Sequence, residues 1–234
     1  MIPLHDTGAT RRFPVVTRLL LGINILIWIY VLTLSRQPAA VNGLYERYAF
    51  DWSAFSAAVT SGRVTIDTFV PLLTHLFLHG GWLHLLGNML YLWIFGDNVE
   101  DAMGIGPFLI FYVLCGVVGA IGQGILAPAP MVGASGAIAG VLGAYLVMFP
   151  TARISTLVFL GIFISIVELP AVIVIGMFIV VQVVEGFAGL RMTMHPAAQD
   201  IAYFAHVFGF LAGMLLLPLL RRGVAARRPR SGGG

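Results

Sequence analysis

The feature that most limits this chain is a succession of apolar runs, each close to or above the length of a bilayer crossing and parted by short polar turns. A crossing takes about 20 residues of α-helix at 1.5 Å per residue. Backbone N–H and C=O groups in lipid find no partner outside their own helix, so each run is expected to be helical. The predicted spans are 17–34, a second from Trp82 to the GDNVED turn at 96–101, 107–126, 135–150, 169–188 and 200–220. The apolar stretch 69–96 is too long for one span and is broken at Gly80-Gly81, so 69–79 is read as a short embedded helix or loop. Residues 154–168 are read as a short embedded connection. With 59% hydrophobic and only 10% charged residues, a soluble domain is excluded. The fold class is therefore all-α: a polytopic bundle of six transmembrane helices with an embedded outer loop after the first span. It forms one membrane domain over 17–220, with an N-terminal segment 1–16 and a basic tail 221–234. No repeat of 20–50 residues and no inverted repeat is evident.

All thirteen basic residues are arginine, and they frame the chain. Arg11, Arg12 and Arg18 precede the first span, while Arg221, Arg222, Arg227, Arg228 and Arg230 follow the last. The positive-inside rule puts both termini in the cytoplasm, which demands an even number of spans. The basic balance is thus a membrane anchor with some attraction to anionic lipid, and no nucleic-acid partner is expected. Nothing in the N-terminal segment reads as a cleaved secretory signal. The single cysteine, Cys115, lies in an apolar run and is read as packing.

Polar side chains at membrane depth are costly unless they face a partner or water, which makes them functional candidates. Ser135 opens the fourth span in the stretch MVGASGAIAG. His206 lies about six residues, roughly 9 Å, into the sixth. Both spans start on the outer side, so the two depths match. His84 and Asn88, four apart near the outer start of the second span, share a helix face. A serine hydroxyl becomes a nucleophile when a neighbouring base takes its proton, and histidine suits that task near neutral pH. Gly136 and Gly140 on the fourth span, and Gly209 and Gly213 on the sixth, would let the two backbones approach closely. The N–H of Ser135 at a helix start, with the Asn88 amide and the His84 ring, could receive a developing oxyanion.

Each of these residues has a plainer reading: Ser135 as a small seam residue, His206 as a packed histidine, Asn88 as an interhelical hydrogen bond. His75, His79 and His84 lack an HExxH pattern and acidic neighbours, so no metal is expected, and no cofactor is needed. Glu168 and Glu185 are placed near interfaces, at opposite ends of the fifth span. Asp97, Glu100 and Asp101 are read as a solvated or arginine-paired inner turn.

Three stretches together resemble the rhomboid intramembrane serine proteases, particularly their bacterial six-span form: HGGWLHLLGNMLYLWIFGDNVED at 79–101, GASG at 133–136 and AHVFGFLAG at 205–213. The likeness runs from about residue 13 to 220. It implies a Ser135/His206 dyad in a water-filled cavity opening outward, with His84 and Asn88 assisting the oxyanion. Gln123 matches a position that retains catalytic water in some members. The implied activity is endoproteolysis in or near transmembrane segments of other membrane proteins, with span five and the cap loop at 189–200 guarding access. The bacterial cytoplasmic membrane is the implied location, and the bilayer and transmembrane substrates are the implied partners.

Two departures stand out. Some members carry a tyrosine four residues after the serine, stacked on the histidine, where this chain has Ala139. A Trp-Arg pair of the first outer loop is replaced by TFVPLL before Thr74. What orients His206 is left open. A catalytically silent relative that binds transmembrane clients is the alternative. An ordinary small-solute transporter would call for paired mid-membrane charges.

Overall fold

A computed structural model describes residues 1–8, 12–160, 163–191 and 201–221. Most of the expected cap loop, and the arginine tail beyond Arg221, lie outside the described residues. The long apolar runs are helices: α1 (Val15–Thr33), α6 (Trp82–Met103), α7 (Ile105–Leu126), α8 (Ser135–Met148), α9 (Ala171–Arg191) and α10 (Tyr203–Leu220). Between α1 and α6 the chain folds as α2 (Pro38–Tyr48), α3 (Trp52–Thr60), α4 (Ile66–Phe69), α5 (Pro71–Thr74) and a 3₁₀ turn at His75–Phe77. The piece Ile66–Phe77 meets α6 at 82°, so the Gly80-Gly81 break turns the embedded segment sharply into the helix that follows it.

Helices α1, α7, α9 and α10 are each long and apolar enough to cross a membrane. The polar residues His84, Asn88, Asp97 and Asn98 dilute α6, and α8 has only 14 residues. Counting both as crossings gives six. α8 is the hub. Its residues from Gly136 to Tyr145 are all buried, so over that stretch it shows no amphipathic pattern, as expected of a helix surrounded by others. Gly104, at φ 88°, joins α6 directly to α7, a left-handed turn for which glycine is suited.

The region 154–168 differs from the expected embedded connection. It forms a β-hairpin, β2 (Arg153–Leu160) and β3 (Phe163–Pro170), to which the N-terminal strand β1 (Ile2–Asp6) adds antiparallel in the order β1-β2-β3. The register pairs Ile2 with Leu157 and Asp6 with Ile154, and Arg153 with Pro170. An apolar run of this length has the hydropathy of an embedded segment and of a strand alike, and hydropathy does not separate them. Glu168 accordingly sits exposed on β3, ahead of the fifth span. Because residues 2–6 lie beside 154–157, the helices between them must return the chain to the same side. An even number of crossings is required, which crossings by α1, α6, α7 and α8 would satisfy.

β1 is pinned from within. Asp6 is 4% exposed. Its Oδ2 accepts from Asn98 Nδ2 at 2.9 Å and from the Tyr145 hydroxyl at 2.6 Å, linking the strand to the ends of α6 and α8. Burial pushes the Asp6 carboxyl above its ordinary range, opposed by the Tyr145 hydrogen bond. The reading of Glu100 as part of a solvated or arginine-paired turn is also corrected. Glu100 is 3% exposed, and its carboxylate accepts from the N–H groups of Val16 (2.9 Å) and Thr17 (2.8 Å) and from the Thr17 hydroxyl (2.8 Å). No residue within α1 caps its first turn, which follows Pro14. A carboxylate supplied by α6 does so and meets the positive end of the helix dipole.

Candidate active site

Ser135 begins α8, and the turn before it is stitched to the segment between α1 and α6. Phe50 and Met131 exchange both backbone hydrogen bonds, at 3.0 and 2.9 Å, and the Gly133 N–H donates to the His75 carbonyl at 2.8 Å. Gly133 has φ +124°, a conformation that side chains disfavour, and a Cβ there would lie 2.5 Å from His84 Nε2 and 3.6 Å from Asn88 Nδ2. The α6 residues His84 and Asn88 therefore converge on the turn that presents the serine. The Gly80 N–H makes a long 3.5 Å bond to His84 Nδ1. With Nδ1 accepting, the neutral ring keeps its proton on Nε2, facing Gly133. The buried Asn88 Nδ2 has no hydrogen-bond partner among the described residues.

His206 lies on α10, 9% exposed. Among the described residues its ring hydrogen-bonds to Gln182 of α9, Nδ1 to Oε1 at 2.7 Å, and not to Ser135. The Phe178 ring, one turn earlier on α9, lies 6.0 Å from the His206 ring at 36°. Catalytic hydrogen bonds are often long before substrate binds, so the separation of serine and histidine does not disqualify the pair. Ser135, His206, His84, Asn88 and Gln123 all line one cavity of about 1070 Å³, to which Ala139 and Phe178 also contribute.

The four glycines form the seam between α8 and α10. A Cβ on Gly209 would strike the Gly136 carbonyl oxygen, and one on Gly213 the Gly140 carbonyl oxygen. A Cβ on Gly140 would meet Cys115 of α7 and, at 3.0 Å, the Gly209 carbonyl oxygen, whereas Gly136 has more room, 3.4 Å from the Ala205 carbonyl oxygen. Backbone thus packs on backbone from the residue after Ser135 and one turn after His206.

Gln123, though at the cavity wall, spends its carboxamide on backbone. Oε1 accepts from the Phe204 and Ala205 N–H groups at 3.0 and 3.2 Å, and Nε2 donates to the Ala127 carbonyl at 2.9 Å. It caps α10 just ahead of His206, a role that the motif comparison did not suggest. Gln182 was missed as well. Its signal was present: a lone carboxamide in an otherwise apolar span is the kind of residue that should face a partner. Among the described residues no three His, Cys, Asp or Glu side chains gather as a metal site.

With this geometry in place, comparison with known proteins is informative. A family model described as the Rhomboid domain matches residues 67–223. The chain is 48% identical over 75 residues to Rhomboid protease GluP of Bacillus subtilis (strain 168), covering 32% of this chain and 15% of that protein. It is 32% identical over 157 residues to Rhomboid-like protein 11, chloroplastic, of Arabidopsis thaliana, covering 64% of this chain and 51% of the relative. To Rhomboid protein 1, mitochondrial, of Saccharomyces cerevisiae it is 32% identical over 147 residues, covering 60% and 38%. The chain spans less than two thirds of the length of each of these relatives.

Proposed function

The chain belongs to the rhomboid family, and on that premise we propose that it is an intramembrane serine endopeptidase using Ser135 as nucleophile and His206 as general base. The observation that carries the reading is the convergence of Ser135, His206, His84 and Asn88 on one cavity. The Ser135 hydroxyl oxygen attacks the scissile carbonyl carbon while His206 Nε2 takes its proton. The oxyanion that forms is met by the Ser135 N–H at the start of α8, by Asn88 Nδ2 and by His84 Nε2. Collapse breaks the C–N bond, the proton on His206 passing to the leaving amine. A water, deprotonated by His206, then releases the acyl group and restores the serine. No metal or cofactor enters this sequence.

Substrates on this reading are transmembrane segments of other membrane proteins, cut where small or helix-destabilising residues expose the bond. The one amide hydrogen that Gln123 leaves uncommitted can hold a water at the cavity wall. The protein is a multi-pass membrane protein; we place it in the bacterial cytoplasmic membrane with both termini cytoplasmic, in accordance with the arginine clusters.

The test is labelling of the detergent-purified protein with a fluorescent serine-reactive phosphonate. Labelling that is lost in both Ser135→Ala and His206→Ala supports an activated serine. A folded wild type that resists a probe known to enter such sites would instead favour a silent relative that binds transmembrane clients.

A further inference from the structure

We propose that Gln182 is the positioning residue of the His206 base, fixing the ring tautomer that can accept the Ser135 proton. The inference rests on the dyad reading above. A carboxamide oxygen can only accept a hydrogen bond, so the 2.7 Å contact from Gln182 Oε1 requires the proton of the neutral ring to sit on Nδ1. Nε2 is then left with its lone pair, as a base for the serine hydroxyl must be. The opposite amide orientation, with the NH₂ toward the ring, would put the imidazole proton on Nε2 and abolish that capacity.

The surroundings leave this task to α9. The residue one turn after the serine is Ala139, which has no ring to stack on the histidine. Phe178 and Gln182 are four residues apart on α9 and so share a face. Phe178 flanks the imidazole and Gln182 bonds it. Gln182 is 8% exposed in a helix with a mean hydropathy of 2.3. A buried carboxamide in such a helix is costly unless hydrogen-bonded, and its oxygen has this partner. A buried carboxylate or carboxamide on Nδ1 of a catalytic histidine does two jobs, holding the ring plane and choosing the tautomer.

The experiment uses the full-length protein in detergent with ¹⁵N-labelled histidine, the His206 signals being assigned by their loss in His206→Ala. In the wild type with a neutral ring, Nδ1 is expected to show the protonated, pyrrole-type shift and Nε2 the unprotonated, pyridine-type shift. Gln182→Leu is expected to move the ring toward the Nε2-protonated form. Cleavage of a model transmembrane substrate should then lose about 100-fold in kcat with KM little changed, smaller than the loss for an ionised orienting partner. Gln182→Glu, which keeps an acceptor on Nδ1, should retain most of the activity.

A wild-type ring protonated on Nε2 would overturn the proposal whatever the variants do. So would a folded Gln182→Leu protein with unchanged kcat. Should Ser135→Ala and His206→Ala abolish labelling while Gln182→Leu labels at the wild-type rate, only the positioning role fails. A folded wild type that does not label removes the dyad and this proposal together.

Discussion

Gly209 of α10 lies directly against the Gly136 carbonyl oxygen of α8, leaving no space for a Cβ. The obstacle is backbone in the buried part of that helix, which cannot swing aside as a side chain would. Gly209→Ala is therefore expected to separate α8 from α10, at about 3 kcal/mol. It should also cut activity, because the displaced helices carry Ser135 and His206. Gly22→Ala, at a position with nothing within 4 Å, is the control. Thermal unfolding in detergent measures both, and equal stability of the two variants would contradict the seam.

The Glu100 carboxylate receives two backbone N–H groups and a hydroxyl at the start of α1. Glu100→Gln replaces one accepting oxygen with a donor facing those donors. A cost of about 2 kcal/mol is expected, from the loss of charge-assisted hydrogen bonds. The site is far along α6 from His84, so the rate of phosphonate labelling should hardly change below the unfolding temperature. A lost signal in the folded variant would mean that the α1 cap reaches the cavity.

Gly133→Ala faces both a disfavoured φ and a collision with His84 Nε2. The side chain of His84 can move where backbone cannot, so the fold should survive at a cost of about 1–2 kcal/mol. On the proposed mechanism, displacing the His84 ring should lower kcat about 100-fold. Steady-state cleavage of a model substrate checks this, and an unimpaired kcat would remove His84 from the oxyanion site.

Docking of β1 should depend on pH through Asp6. Burial raises its carboxyl above the ordinary 3.8, so the docked strand holds the proton more tightly than the undocked one. The contribution to docking is complete below 3.8 and is lost as pH rises through the raised value. Amide exchange of the non-proline residues of β1, corrected for intrinsic rates, should therefore show stronger protection on acidification from neutral pH. Asp6→Asn keeps an accepting oxygen and does not titrate, and it should flatten the dependence. Protection that weakens toward acid would reverse the sign.

The spans and the candidate site were legible for different reasons. Apolar runs give crossings by length alone, and Ser135, His206, His84 and Asn88 stood out because polar groups at such depth need partners. The 153–170 hairpin was hidden because its residues are as apolar as a lipid-facing segment. Its first partner, β1, lies nearly the whole length of four helices away in sequence. Glu100 was misread because sequence neighbours suggest a charged turn, whereas its partners Val16 and Thr17 belong to another helix. Gln182 obeyed the rule that picked out Asn88, yet its partner His206 became evident only once α9 and α10 were packed side by side.

The pairing of β1 with β2 also bears on how the protein is made. At about 5–20 residues per second, synthesis leaves the first strand waiting on the order of 10–30 s before its partner emerges. The membrane helices α1, α6, α7 and α8 all emerge during that wait. Should one of them fail to cross, β1 and β2 would be left on opposite faces of the bilayer, and Asp6 could not meet Asn98 and Tyr145 together. Closure of this small sheet thus requires that the chain between its strands end on the side where β1 lies.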